Sequence, residues 1–455
     1  MTHLGQLARA IGTTEGWRPF VRAAAIEMVG WPSVNGTTGE VAFADRLRTS
    51  IASLPHFQSH PDAVWLEAIP GDPMGRSNVF ALVGGRGSRG VVLMGHYDVV
   101  STETYGRLEQ LALEPEELRR ALIDELIRSA RGPEEELALQ DLRDGGFLPG
   151  RGMLDMKTGL AAGLAVLVRC AEGGEGSVLL VATPDEEAMS RGARAAVGQL
   201  AAVAERTGIE FVAAINLDAE ADKGDGSRGR AIFLGSVGKM LPAVFLVGRP
   251  AHAGTPTDGV NAAYLAATLV ADLELSAIEA AHDGQPLAPP TCLCLRDLKL
   301  GYDVTLPSTS FVAFNVLFTA RSPAEVFNAF VERVEAALGR GLRVLVDRAG
   351  SPLAGMQHGS PEVPVLKFAE VADRDADALS ATVQSVVLAN TPDADRVTWD
   401  VAAAERLGVP VINIGPWGRD YHQRLERVHE AYSFETVPEL VYRVVHDLVQ
   451  EEKAS

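Results

Sequence analysis

The sequence predicts a two-domain α/β protein in which a small βαββαβ domain interrupts a larger α/β domain. Three observations predict this. Strand-like apolar runs alternate with helix-like runs over most of the chain, as in sheets buried on both faces. Between about Gly235 and Gly350 the order changes to strand, helix, strand, strand, helix, strand. At 455 residues the chain is also too long for one ordinary core.

In chain order, Val79–Val83, Val91–Met94, Val178–Ala182 and Phe211–Leu217 read as strands, and the Ala- and Leu-rich run Thr158–Cys170 reads as a helix. From about Tyr105 to Arg143 the text is dense in Glu, Arg and Leu. Leu118, Leu122 and Leu126 recur at helical spacing, which predicts an insertion of one or two amphipathic helices with solvated outer faces. The small domain opens with a strand in "LPAVFLVGR", a loop around His252 and a helix from Asn261. Strands "TCLCLRDLKL" and "SFVAFNVLF" follow, then a helix in "SPAEVFNAFVERVEAAL" and a strand in "LRVLVD". The chain then returns to the large domain: a helix after Ser380, a strand in "VPVINIG" and a last helix after Val437. The expected domains are thus 1–234, 235–350 and 351–455, the first and last forming one body.

Composition narrows the function classes. Hydrophobic content of 47% and charged content of 22% are those of a soluble globular protein. A net charge of −19 argues against nucleic acid and anionic membrane as partners, since both require a basic surface. Three cysteines do not make a disulfide framework, and Cys292-x-Cys294 reads as two thiols on a strand, so a reducing cytoplasm is expected. The first residues lack the pattern of a signal peptide, and no apolar stretch approaches the roughly 18 residues of a membrane span. Gly85-x-Gly87-x-x-Gly90 matches a dinucleotide fingerprint in letters only, because a strand follows it where a helix is required.

The chemistry-bearing residues sit where strands end. "GVVLMGHYDVV" stops an apolar run at a glycine and then presents His96 and Asp98 two positions apart. In an extended segment those side chains project to one side. A carboxylate there can accept one imidazole N–H and leave the other nitrogen for a metal. Asp155 lies in a Gly-rich turn before a helix, a place that also suits an N-cap. Glu186 and Glu187 follow a strand; adjacent carboxylates can divide labour, one binding an ion and one acting as base. Asp218 ends another apolar run, and His422 follows the Gly-Pro turn after "VINIG". Strand ends in an α/β sheet converge on one rim. Two histidines, several carboxylates and no cysteine suit a pair of divalent ions such as zinc, manganese or cobalt.

The series "GHYDVV", "GRGMLDMKTG", "PDEEAMSRGA", "NLD", "GRPAHAGTPTDGVNA" and "DYHQRLERV" resembles the co-catalytic metal aminoacylase and exopeptidase family, in order and over nearly the whole chain. The helical insertion, with "GSVGKMLP" and "ERVHEAYSFE", resembles its bacterial arginine-utilisation protein branch. The resemblance implies a zinc-exopeptidase-like catalytic domain, a ferredoxin-like lid that also serves dimerisation, and a homodimer acting on a small molecule. It implies that His96 and Asp218 bind one Zn2+, that Glu187 and His422 bind the other, and that Asp155 bridges them. Asp98 would orient His96, Glu186 would be the general base, and His252 would stabilise the oxyanion. Asn261 and Arg321 are the implied substrate contacts. Glu220 stands as an alternative to Asp218, and His429 as an alternative to His422.

One departure bears on substrate. Members that cleave amino-acid derivatives carry an Asn-x-Ile-Pro stretch and a later "FN-x-R" that hold the substrate carboxylate. Here Val304 and Leu317 occupy the matching polar positions, and Arg321 stands a few residues further on. The expected activity is hydrolysis of an amide C–N bond, as in an N-acyl amino acid or dipeptide. The alternatives are the same centre acting on a substrate without an α-carboxylate, and a non-catalytic metal-binding relative.

Overall fold

The computed structural model describes residues 3–9, 11, 16–130, 132–222, 224, 226–227, 229–235, 237–276, 289–299, 301–319, 321–350 and 407–450. The chain separates into two compact units, Met1–Gly235 with Trp399–Ser455, and Ser236–Thr398. The expected re-entry at residue 351 and the helix after Ser380 lie outside the described residues.

The first unit is built on a six-stranded sheet. Its order is Val64–Ala68, Ser77–Val83, Glu175–Thr183, Arg86–His96, Glu210–Asn216, Val411–Asn413. The last four are parallel to one another, and the first two join by antiparallel pairings, so the sheet is mixed. The register sets His96 beside Thr183 and Met94 beside Asn216, so these parallel strands end along one rim. The four apolar runs read from the sequence are all central strands.

Helix Thr158–Gly173 is buried at every position from Thr158 to Val168. It packs against the sheet and against helices Arg18–Val29 and Val437–Val449. Each fully buried Leu or Val contributes roughly 1.5–3 kcal/mol of transfer free energy. Gly159 permits the close approach: a Cβ there would overlap the backbone oxygen of Leu217, next to Asp218.

A second sheet, not foreseen in the sequence, has the order Phe147–Pro149, Arg427–His429, Trp417–Arg419, Glu220–Ala221. Its strands are two or three residues long, too short for an alternation pattern to register. The insertion forms helices Pro115–Ser129 and Pro133–Arg143, each with proline in its first turn. Tyr105, Ala112, Leu118, Leu122, Leu126, Ala138 and Leu142 give it a small core of its own.

The second unit has an antiparallel sheet in which Thr309–Phe318 pairs with Thr291–Asp297 on one side. On the other side it pairs with Ala243–Val247 and then Gly238–Met240. Helices Ala262–Leu273 and Pro323–Ala349 pack with it through Leu265, Leu269, Phe314, Phe330 and Val334. One expectation is corrected here: Leu342–Asp347 is not a strand but the last part of helix Pro323–Ala349. The buried stripe Val326, Phe330, Val334, Ala337, Leu338, Gly341 keeps helical period past Gly339, and Gly341 seats against Thr268 of the neighbouring helix. Tertiary packing of that stripe outweighs the local β propensity of Leu, Val and Leu. Among the described residues the unit therefore has the order ββαββα, without the closing strand.

Candidate metal centre

His96 ends its strand with 2% exposure. Its Nδ1 lies 3.0 Å from the backbone oxygen of Asp98. This differs from the expected carboxylate contact, since the nearest Asp98 carboxylate oxygen stands 3.6 Å away. The carboxylate is engaged elsewhere: Oδ1 accepts from the Glu186 N–H at 3.1 Å. Oδ2 accepts from the Glu187 N–H at 3.1 Å and from Asn35 Nδ2 at 2.9 Å. Asp98 thus fixes the segment that carries both glutamates, and orients His96 through its main chain. Either way His96 Nδ1 is turned to a carbonyl acceptor and Nε2 is left for the rim.

At the rim, His96 Nε2 is 3.0 Å from Asp155 Oδ1, 3.8 Å from Asp218 Oδ1 and 3.9 Å from Glu186 Oε2. His422 Nε2 is 3.1 Å from Asp155 Oδ2 and 3.1 Å from Glu187 Oε1. Asp155 does not cap the helix that follows. It turns one oxygen to each histidine, and the Asp155–Met156 peptide is cis. Three sets could each hold an ion: His96, Asp155 and Asp218; Asp155, Glu187 and His422; and His96, Glu186 and Glu187. Within each set the ligand atoms lie within 4.8 Å of one another, and nitrogen plus carboxylate donors suit zinc, manganese or cobalt.

Burial would lower the His96 pKa, but Asp155, Asp98 and Asp218 together hold it well above its ordinary value. Hydrogen bonds to Asp155 and Glu187 push His422 up to about 10. Burial, then the charge of Asp155, raises Asp218 to about 7. Glu186 is raised by burial and by neighbouring carboxylates. Carboxylates crowded this closely repel one another, and a cation between them removes that cost.

The other candidate residues have different surroundings. Glu220 is raised to about 7 by burial and accepts from Asn413 Nδ2 at 3.4 Å, away from the two histidines' ligand sets. His429 packs against Phe147 and Trp417, its Nδ1 accepting from the Tyr432 N–H at 3.2 Å. In the second unit, Thr305 pairs with His252, whose Nδ1 accepts from the Gly254 N–H at 3.0 Å. Asn261 caps helix Ala262–Leu273, accepting from the N–H groups of Ala263 and Tyr264. Arg321 donates to the Glu325 backbone oxygen at 3.4 Å, at the start of helix Pro323–Ala349. Val304 is half exposed beside Thr305.

Sequence reasoning missed the supports around Asp185. Asp185, with φ 67, is held by Arg76 at 2.8 Å and by Glu40, which accepts its N–H at 3.0 Å. Arg76 also pairs with Asp72 at 2.7 Å, and all four side chains are buried. The one available signal was Glu40 on the inward stripe of its helix, with Phe43, Ala44, Leu47 and Ile51. Glu426 is wholly buried and accepts the N–H groups of Gly152, Leu154 and Asp155 at 2.9, 3.4 and 3.5 Å. Gly152, at φ 77, serves that turn where a Cβ would meet Val99 at 2.5 Å.

Comparison with known proteins agrees with this architecture. Residues 130–446 match the model of Peptidase family M20/M25/M40. The chain is 33% identical to Protein RocB of Bacillus subtilis over 323 residues, 70% of this chain and 56% of that protein. It is 29% identical to a succinyl-diaminopimelate desuccinylase of Pseudomonas fluorescens over 312 residues, 67% of this chain and 74% of that one. It therefore spans little more than half the length of RocB. The fold resembles a Staphylococcus aureus tripeptidase (TM-score 0.54, 13% identity, 95% and 99% of the two chains). It also resembles human carnosine dipeptidase 1 (TM-score 0.54, 11% identity, 99% and 100%).

Proposed function

The chain belongs to Peptidase family M20/M25/M40, and from that premise we propose that it is a metal-dependent hydrolase of an amide C–N bond in a small molecule. The observation that carries the reading is Asp155, whose two oxygens face the Nε2 atoms of two different histidines at 3.0 and 3.1 Å. His96 and Asp218 would hold one divalent ion, Glu187 and His422 a second, and Asp155 both, with zinc the first candidate. Such ions polarise a carbonyl and acidify water when bound. Glu186 takes the proton of the attacking water and passes it to the leaving amine. Asp98 sets His96 and both glutamate backbones. The family resemblance assigns the oxyanion contact to His252. Leu293 and Leu295, exposed on the Thr291–Asp297 strand, support a homodimer through the second unit. A cytoplasmic location fits the three free cysteines. Among the described residues no helix is long and apolar enough to cross a membrane.

The direct test is turnover of N-acyl amino acids, dipeptides and aryl amides by chelator-stripped protein given zinc, manganese or cobalt. Metal-restored cleavage supports the reading, and no metal-dependent C–N cleavage of any kind counts against it. A second reading has its own support. Val304 and Leu317 replace the polar carboxylate clamp, and Arg321 is tied to the first turn of a helix. Activity confined to substrates lacking an α-carboxylate favours that variant.

Metal loading should release protons. Without metal, the raised pKa values of His96, of His422 (to about 10) and of Asp218 (to about 7) favour their protonated forms near neutrality. Ligation needs neutral imidazoles and ionised carboxylates, so filling both positions should release about two to three protons. The overall binding constant should then rise about a hundredfold or more per pH unit near neutrality and fall as pH drops. Potentiometric titration in weak buffer checks this; uptake without proton release would contradict the ligand set.

A further inference from the structure

We infer that the helical insertion is a clamp that holds the His422 loop in its ligating position, with Asp141 as the positioning residue. The inference rests on the metal role proposed for His422. That loop joins strands Trp417–Arg419 and Arg427–His429 and contains two non-glycine residues in the left-handed region, Asp420 at φ 56 and His422 at φ 62. Such conformations persist only where the surroundings hold them.

The insertion supplies those surroundings. Arg427 is 1% exposed and spans the loop, donating from Nη1 to Asp420 Oδ2 at 2.6 Å and to the Leu425 backbone oxygen at 2.9 Å. Its Nε and Nη2 donate to Asp141 Oδ2 at 2.9 and 2.7 Å. Arg419, at the loop's other end, brings Nε within 3.1 Å of that same oxygen. One carboxylate of helix Pro133–Arg143 therefore ties both ends of the loop. Between them, Leu425 packs on the insertion's core and Arg424 pairs with Glu125 of helix Pro115–Ser129. Arg151, just past the insertion, reaches Thr104 Oγ1 at 2.7 Å and the His422 backbone oxygen at 3.4 Å. A merely decorative insertion would meet solvent at these positions; this one buries its carboxylate under two arginines.

The test is zinc titration, by calorimetry with metal analysis, of the chelator-treated full chain. The proteins compared are wild type, Asp141→Ala, Asp141→Asn, His422→Ala and Asp141→Ala/His422→Ala. Asp141→Ala is expected to weaken one of two zinc equivalents about 10–100-fold and leave the other unchanged, as loss of an outer support does. Asp141→Asn, which keeps an acceptor oxygen, should recover part of that loss and also serves if the alanine variant does not fold. In the His422→Ala background, Asp141→Ala should add nothing. Unchanged zinc affinity in both folded Asp141 variants, equal weakening of both equivalents, or an additive loss in the double variant would overturn the clamp alone. Failure of the wild type to bind zinc would overturn the metal centre and the clamp with it.

Discussion

Replacing Asp155 by alanine is expected to leave a folded chain that holds neither metal ion and turns over nothing. Its side chain stands between the two ligand sets, with His96 and Asp218 on one side and Glu187 and His422 on the other. Without it the two sets that contain it keep two of three donors each, fewer than the three or four protein ligands of stable zinc sites, and the third set, His96 with Glu186 and Glu187, relies on the open Glu186 and is expected to hold an ion only weakly. Metal content should therefore fall from about two equivalents towards none. Proton competition works in the opposite direction, but its relief does not restore the lost donor. Asp155 is the largest charge raising Asp218, so its loss lets Asp218 ionise at lower pH, and it also removes a partner that raises both histidines. Metal analysis after dialysis, with thermal unfolding of the chelator-treated pair, separates loss of ligation from loss of fold. A variant that keeps one full equivalent would show that Asp155 serves one position only, and the bridging assignment would fail.

What was legible in the sequence follows from the range of the forces involved. Val91–Met94 and Val178–Ala182 were readable because a strand buried on both faces must be continuously apolar, whatever its partners. His96, Asp155, Glu187 and Asp218 were readable as candidates because each interrupts or follows such a run. Their convergence was not readable from spacing, since His96 and His422 meet through Asp155 across 326 residues of chain. The buried group of Glu40, Asp72, Arg76 and Asp185 was also invisible: its members are held by mutual pairing, which leaves no period in the text. Residues 342–347 misled for the opposite reason. Their β-branched and leucine content is local, whereas the seat of Gly341 against Thr268 is not. Asp98 combined both cases. The two-residue spacing correctly set it beside His96, but the donors that claim its carboxylate come from Asn35, Glu186 and Glu187, on other segments.

Replacing Glu186 by glutamine should do the reverse of Asp155→Ala: metal stays and chemistry goes. Among the acidic side chains of the centre Glu186 is the most open, 46% exposed against 31% for Asp218, 13% for Asp155 and 6% for Glu187. It therefore reaches an incoming water while the others face the histidines. Its backbone is pinned by Asp98, so the carboxyl is placed without being consumed in an ion pair with an arginine. Burial and the neighbouring carboxylates raise its pKa, which makes the carboxylate a stronger base than an exposed glutamate. Removing a positioned base costs on the order of 10²–10⁴ in rate. Glutamine keeps the size and removes the proton acceptor, so Glu186→Gln should retain its metal content and unfolding temperature while kcat falls by that factor. The pH profile gives the sign. As the proposed base, Glu186 must be ionised, so wild-type kcat should fall as pH drops through its pKa, and that acid limb should be absent from the residual activity of the variant. A fully active Glu186→Gln protein would move the base to another residue. A variant that loses an equivalent of metal would make Glu186 a ligand, as its 3.9 Å approach to His96 Nε2 allows.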